Sequence, residues 1–182
     1  MMGMFNMLKK YKFRKTLKTL KSYGEFNDIS LDTLFIFSDK IKIGSYIYIG
    51  PNASINGLGG IEIKNGTIIG PNIIIHSANH NFKKPKSIPY DENFEYRKVI
   101  IGENVWIGGN VIITPGSIIG EGCIIGAGTV VSGKIPALSI VVGNPCQIIK
   151  KRDEEEYYSL KEQGLIYMKL KKELKTVQPN YE

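Results

Sequence analysis

From Ile43 onward the chain can be read in sixes: IGSYIY, IGPNAS, INGLGG, then, after Ile61 and Glu62, IKNGTI, IGPNII, IHSANH. The frame disappears for twenty residues and returns as IGENVW, IGGNVI, ITPGSI, IGEGCI, IGAGTV, VSGKIP. The first slot is Ile43, 49, 55, 63, 69, 75, 101, 107, 113, 119 and 125, then Val131: eleven isoleucines and one valine in twelve slots. An α-helix cannot use this spacing, because six residues advance about 600° and the apolar stripe would wander round the axis. A short strand with alternate residues inward, followed by a corner, uses it directly.

The other slots agree. The second is Gly in seven of twelve repeats, and the fifth is mostly small or β-branched, as in Ala53, Thr67, Val105, Cys123 and Thr129. Asn52, Gly66, Asn72, Asn104, Asn110, Gly116, Gly122 and Gly128 fall where a corner needs positive φ. Three such strands close one triangular coil of about eighteen residues, so the predicted architecture is an all-β solenoid, a parallel β-helix of hexapeptide repeats. Each coil buries its isoleucines against the coils above and below.

At 182 residues the chain is long enough for one domain with a sizeable core. It contains no run of 18 apolar residues and no secretory h-region, so neither a membrane span nor a signal peptide is expected. Two cysteines, Cys123 and Cys146, make no disulfide framework, and a cytoplasmic setting is the expectation. The net charge of +7 is matched by Lys9, Lys10, Lys12, Arg14, Lys15, Lys18 and Lys21, in a segment without acidic residues. Residues 1–30 therefore read as a basic N-terminal helical segment, first as a solvated helix packed on the body, second as a weak membrane-surface contact. No nucleic-acid motif accompanies it. Residues 31–149 form the expected β-helix and 150–182 a helical cap over its open end, where an acidic start and a Lys-rich finish suit a helix dipole.

Both histidines, His76 and His80, stand at the break in the repeat. The expected excursion loop, 81–99, carries two prolines, four lysines, Arg97 and four aromatics, and cannot stay inside a coil. His80 takes the sixth slot, a corner, immediately before the loop leaves. It is either a hydrogen-bonded structural residue or a general base, a role that an imidazole suits at neutral pH. His76 replaces a glycine and reads as structural or as a neighbour orienting the site.

The segments IKNGTIIGPNIIIHSANHNF and IIGENVWIGGNVIITPGSIIGEGCIIGAGTVVSGKIPALSIVVGNPCQIIKK resemble the hexapeptide-repeat acetyltransferases. Within that family they are most similar to the branch acting on sugars and sugar polymers, which includes galactoside, maltose and capsule O-acetyltransferases. The likeness covers about residues 30–151, and it is the source of the expectation that the coil is left-handed. It implies acetyl-CoA as donor, a sugar or polysaccharide hydroxyl as acceptor, and a homotrimer with active sites between neighbouring subunits. It also implies His80 as the base, Asn56 as an acceptor contact, and Trp106, expected at a corner, against acceptor or cofactor; a plain hydrophobic corner residue is the alternative for Trp106. Gly109 and Ala127 match places where backbone meets the pantetheine arm. Ser132 and Lys150 match phosphate contacts. Gly133 and Gln147 depart from the Lys and Arg often found there, with Lys134, Lys151 or Arg152 as substitutes. No metal is implied: a γ-type carbonic anhydrase shares the coil but needs three histidines. Transfer to an antibiotic or an aminosugar nitrogen, and a passive scaffold, are the other readings.

Overall fold

All twelve first-slot residues point into the column and are buried, from Ile43 through Val131. The computed structural model describes residues 2–173, with side chains from Met7 onward. The strands cycle through three faces. The first face stacks Ser22–Tyr23, Ile41–Ile43, Ile61–Ile63, Val99–Ile101, Ile118–Ile119 and Lys134–Ile135. The second runs from Asp28–Ile29 through Trp106–Ile107 to Ser139–Val142, and the third from Leu34–Ile36 through Ile74–His76 to Val130–Val131. Six coils result, a parallel β-solenoid with in-register neighbours such as Ile63↔Ile101 and Ile107↔Ile125.

The period explains the packing. Equal isoleucines at equal slots lie over one another, so each coil fills the gap left by the last. The corners close through αL residues, including Asn52, Asn72 and Asn110 with φ of 60°, 58° and 57°. On the corner between the second and third faces these three form a ladder, Asn52 Nδ2 donating to Asn72 Oδ1 at 3.2 Å and Asn72 Nδ2 to Asn110 Oδ1 at 3.1 Å.

Three boundaries differ from the sequence expectation. Helix α1, Met2–Thr19, ends well before residue 30, and the solenoid starts at Ser22 rather than 31. Tyr23, Ile29 and Phe35 are the first-slot residues of an additional coil, in register with Ile43, Ile49 and Ile55. Phe13, Leu17 and Leu20 of α1 and its exit pack on the core at this end. In the last coil two residues are missing from the frame, so Ile135, placed in a fifth slot by the count of six, occupies the position of Ile119.

The third difference lies at the C-terminus. Gln147–Lys151 folds back antiparallel on Ser139–Val142. Helices α2 (Glu154–Glu162) and α3 (Tyr167–Lys172) then run along the corner between the first and second faces instead of over the open end. Tyr157 Oη donates to Glu121 at 3.0 Å, Lys161 pairs with Glu103 and Glu121, and Lys171 reaches Asp28 at 3.8 Å, so the helices descend past successive coils. Two contacts hold them there: Tyr157 is buried against Gly122 and Ile166 lies against Gly66, while Lys161 sits between the Glu103 and Glu121 carboxylates, which lie one above the other. Residues 174–182 of the expected cap lie outside the described residues. Among the described residues no helix is long and apolar enough to cross a membrane.

Candidate active site

The third coil breaks at Ser77, whose backbone carbonyl accepts from Arg97 N at 2.8 Å when the chain returns. Between them, Ala78–His80 pairs antiparallel with Phe94–Tyr96. The excursion is thus a hairpin that begins at Ala78 and ends at Tyr96, not a loop over 81–99. Val99, at the end of the expected loop, is already back in the first face opposite Ile61. His80 therefore stands outside the coil, on a strand of the hairpin rather than at a corner. Ser77 anchors the base: its buried hydroxyl donates to Asn56 O at 2.9 Å and accepts from Gly59 N at 2.9 Å.

His80 is exposed and held by aromatic contact. Its ring stacks on Tyr90 at 3.8 Å between centroids, with 16° between planes, and meets Phe94, its cross-strand partner, at 4.5 Å. Flat contact on Tyr90 limits rotation of the imidazole, an orienting force that costs no hydrogen-bonding capacity. Asp91 organises the tip from within. It accepts from Asn93 N at 3.0 Å, Lys86 N at 3.1 Å and Asn81 Nδ2 at 3.0 Å. Burial pushes its pKa up, but these three donors outweigh that and hold the carboxyl below its ordinary value.

Asn56, His76, His80, Phe94, Ile112 and Thr114 share an open cleft of about 440 Å³. Two expected site residues, His80 and Asn56, are thus brought together, with His76 beside them. Asn56 Oδ1 is engaged by Leu58 N at 3.2 Å, which leaves its amide N–H₂ to face a ligand. The arrangement places an imidazole and an amide over one apolar floor, suited to bind and deprotonate a hydroxyl.

Trp106 is elsewhere. It lies within the strand Trp106–Ile107 of the second face, 56% exposed, and not at a corner. It lines a separate cavity of about 270 Å³ with Arg152, Tyr157, Leu165 and Tyr167. Gly109 and Ala127 share the corner between the second and third faces, a strip without long side chains over two successive coils, where Gly128 N donates to Gly109 O at 2.9 Å. Ser132 follows Val131 one coil above Thr114, with Cys146 Sγ against its carbonyl. Lys134 is on the first face opposite Ile118, and Lys150 is on the returning strand opposite Ile140. Arg152 is committed to structure, donating to Gly122 O at 3.2 Å with its guanidinium 4.9 Å from the Tyr157 ring centroid. None of these residues reaches the His80 cleft within one chain.

Residues 98–133 match the model of the bacterial transferase hexapeptide (six repeats). WbbJ of Escherichia coli (strain K12), named for lipopolysaccharide biosynthesis O-acetyl transfer, is 36% identical over 129 residues, covering 67% of this chain and 63% of that protein. The chain thus spans under two thirds of that relative. A maltose O-acetyltransferase from Clostridium difficile superposes with a TM-score of 0.68 at 34% identity, over 76% of this chain and 73% of that one. The chain belongs to the hexapeptide-repeat acetyltransferase family. AntD, an N-acyltransferase from Bacillus cereus in complex with dTDP and 3-hydroxybutyryl-CoA, gives 0.67 at 25% identity over 88% and 96%. Tyr90, Asp91, Phe94 and Ser77 were not legible as site residues. Tyr90, Asp91 and Phe94 were visible as aromatic and acidic loop residues, but the contact of Tyr90 and Phe94 with His80 depends on the hairpin register, and Ser77 carried no signal within the repeat.

Proposed function

We propose that this chain transfers the acetyl group of acetyl-CoA to a hydroxyl of a sugar or polysaccharide unit, with His80 as general base. The observation that carries the reading is the exposed imidazole clamped by Tyr90 and Phe94 in a cleft shared with Asn56. His80 takes the acceptor's hydroxyl proton as the oxygen attacks the thioester carbonyl. The tetrahedral adduct collapses, the C–S bond breaks, and the imidazolium returns the proton to the CoA thiolate. No covalent acyl-enzyme forms, so Cys123 and Cys146 have no part in the step.

The donor fits the bare strip of Gly109 and Ala127, where small residues allow an extended pantetheine arm to lie against backbone. Ser132, Lys134 and Lys150 supply polar and cationic groups on the coils beyond it. Because these residues and Trp106 do not converge on His80 in one chain, a homotrimer that places a neighbour's coils against the hairpin is part of the proposal. Both cysteines are free thiols, which agrees with a cytoplasmic setting. The likeness to AntD supports a second reading, N-acylation of an aminosugar, which the same base serves by taking an ammonium proton.

The test is CoA release from acetyl-CoA against a panel of neutral, phosphorylated, nucleotide-linked and amino sugars. His80→Ala should lower kcat by about 10²–10⁴ while the melting temperature holds. A variant that turns over like the parent removes His80 from the chemistry. A panel on which only amines react selects the second reading.

A further inference from the structure

A second cleft, about 490 Å³, opens at the base of the hairpin on the side facing the N-terminal coils. Four lysines line it: Lys21 at the exit of α1, Lys40 and Lys42 on the second coil, and Lys98 where the chain returns from the hairpin. Lys98 is neutralised in part by Glu62 at 2.6 Å. Lys40 Nζ donates to Leu58 O at 3.0 Å and lies 5.6 Å from the Tyr96 ring centroid, so its charge is fixed in place. Among the described residues, neither Lys21 nor Lys42 has a carboxylate within ion-pairing distance. Glu62 lies below the usual carboxylate range because Lys98 donates to it, against the cost of partial burial, with Lys42 and Lys64 adding their fields. Four cations against the one ion-paired carboxylate leave a positive surplus, which a cleft focuses on an anion that enters it.

This cleft adjoins the one that holds His80. Leu58 lines both. Phe94 faces the His80 cleft and Tyr96 the basic one, two positions apart on one strand with their rings 6.3 Å apart. Along the column, Lys21, Lys40 and Lys42 belong to coils before the hairpin and Lys98 to the start of the coil that follows it, whereas Gly109, Ala127, Ser132 and Lys150 lie farther along the coils after it. An anion held here is therefore on the far side of His80 from the expected donor strip.

Building on the acetyltransferase reading, we propose that this basic cleft is an acceptor subsite, and that the acceptor is an anionic saccharide. Its phosphate, diphosphate or carboxylate sits among Lys21, Lys40, Lys42 and Lys98, its sugar packs on Tyr96 and Leu58, and its reacting hydroxyl reaches His80.

Two measurements test it. Inorganic pyrophosphate should raise the melting temperature of the full chain, and a Lys21→Ala/Lys42→Ala double variant should bind it at least about tenfold more weakly, with Lys42→Arg retaining affinity. In the CoA-release assay, matched pairs of sugar and sugar phosphate should show kcat/KM higher for the charged member by about tenfold or more, and the double variant should erase that preference through the acceptor's KM. No pyrophosphate binding together with equal turnover of charged and neutral members overturns the proposal. So does a double variant whose KM rises for acetyl-CoA instead of the acceptor, since the anion would then be the donor's phosphate. Pyrophosphate binding that is lost in the double variant, with no turnover of any acceptor, supports the subsite while defeating the acetyltransferase reading.

Discussion

Asn27, Thr67, Cys123 and Ser139 occupy one slot at the entrance to the second face, which Ile47 and Val105 fill on the second and fourth coils. Three of them donate to a corner carbonyl of the coil above: Asn27 Nδ2 to Gly44 O at 2.9 Å, Thr67 Oγ1 to Gly102 O at 2.8 Å, and Cys123 Sγ to Pro136 O at 3.0 Å. Ser139 belongs to the last coil, has no coil above it, and its buried hydroxyl is without a hydrogen-bond partner. Identical burial thus has opposite consequences. Thr67→Val should cost about 1–3 kcal/mol, because it strands the Gly102 carbonyl and removes the acceptor of Val105 N. Ser139→Ala should leave stability unchanged or raise it by up to about 1 kcal/mol, since only an unpaired hydroxyl is lost. Equilibrium urea unfolding of both variants checks the pair, and a Ser139→Ala loss as large as that of Thr67→Val would contradict the account.

The order of the excursion hairpin depends on titratable chemistry. Asp91 gathers three donors at its tip, and its folded-state pKa lies below the unfolded value, so the carboxylate contributes stability above the ordinary carboxylate range. That contribution disappears as pH falls through the lowered folded value. Acidification should therefore loosen the tip, while the solenoid, whose core bears no carboxylate, stays folded. Limited acid-protease cleavage within 83–93, rising below about pH 4 with no change in far-UV circular dichroism, is the expected outcome. Asp91→Ala should expose the same segment to a neutral protease at neutral pH and lower kcat by roughly tenfold through a mispositioned His80. The presence of an excursion was legible, because Pro85, Pro89 and Lys-rich sequence cannot continue a coil. Its start was not: IHSANH keeps the six-residue count through His80, and only the antiparallel pairing with Phe94–Tyr96 shows that Ala78 has already left. The same limit hid the first coil, where Tyr23, Ile29 and Phe35 keep the spacing without the isoleucine signature.

As a whole the molecule is a one-dimensional stack, in which each coil touches only its neighbours, and one element couples distant coils. Helices α2 and α3 span the corner from Glu121 and Glu103 to Asp28, tying the later coils to the earliest. The acidic corners and the Lys-rich helix were both visible in sequence, but a cap over the open end satisfied the same composition; what decides between them is that the corners of Glu103 and Glu121 stack in space, eighteen residues apart in sequence, and that Gly66 and Gly122 leave room there for Ile166 and Tyr157. The clamp is also pH-dependent. Hydrogen bonds to Glu121 and Glu103 raise the Lys161 pKa, against a smaller burial penalty, and burial foremost pushes the Tyr157 hydroxyl up to about 12. Both groups are raised, so their contribution is complete below their unfolded values, near about 10, and is lost as pH climbs through the folded ones. Lys161 is one-third exposed, so its ion pairs add less than about 1 kcal/mol to global stability. The effect should be local: Lys161→Met should speed amide exchange at Asn104 and Gly122 on the clamped corner, leaving Ile75 and Ile113 on the third face as protected as in the parent. Uniform acceleration over all three faces would mean that the helices hold the entire column together, and that the coils do not stand on their own packing.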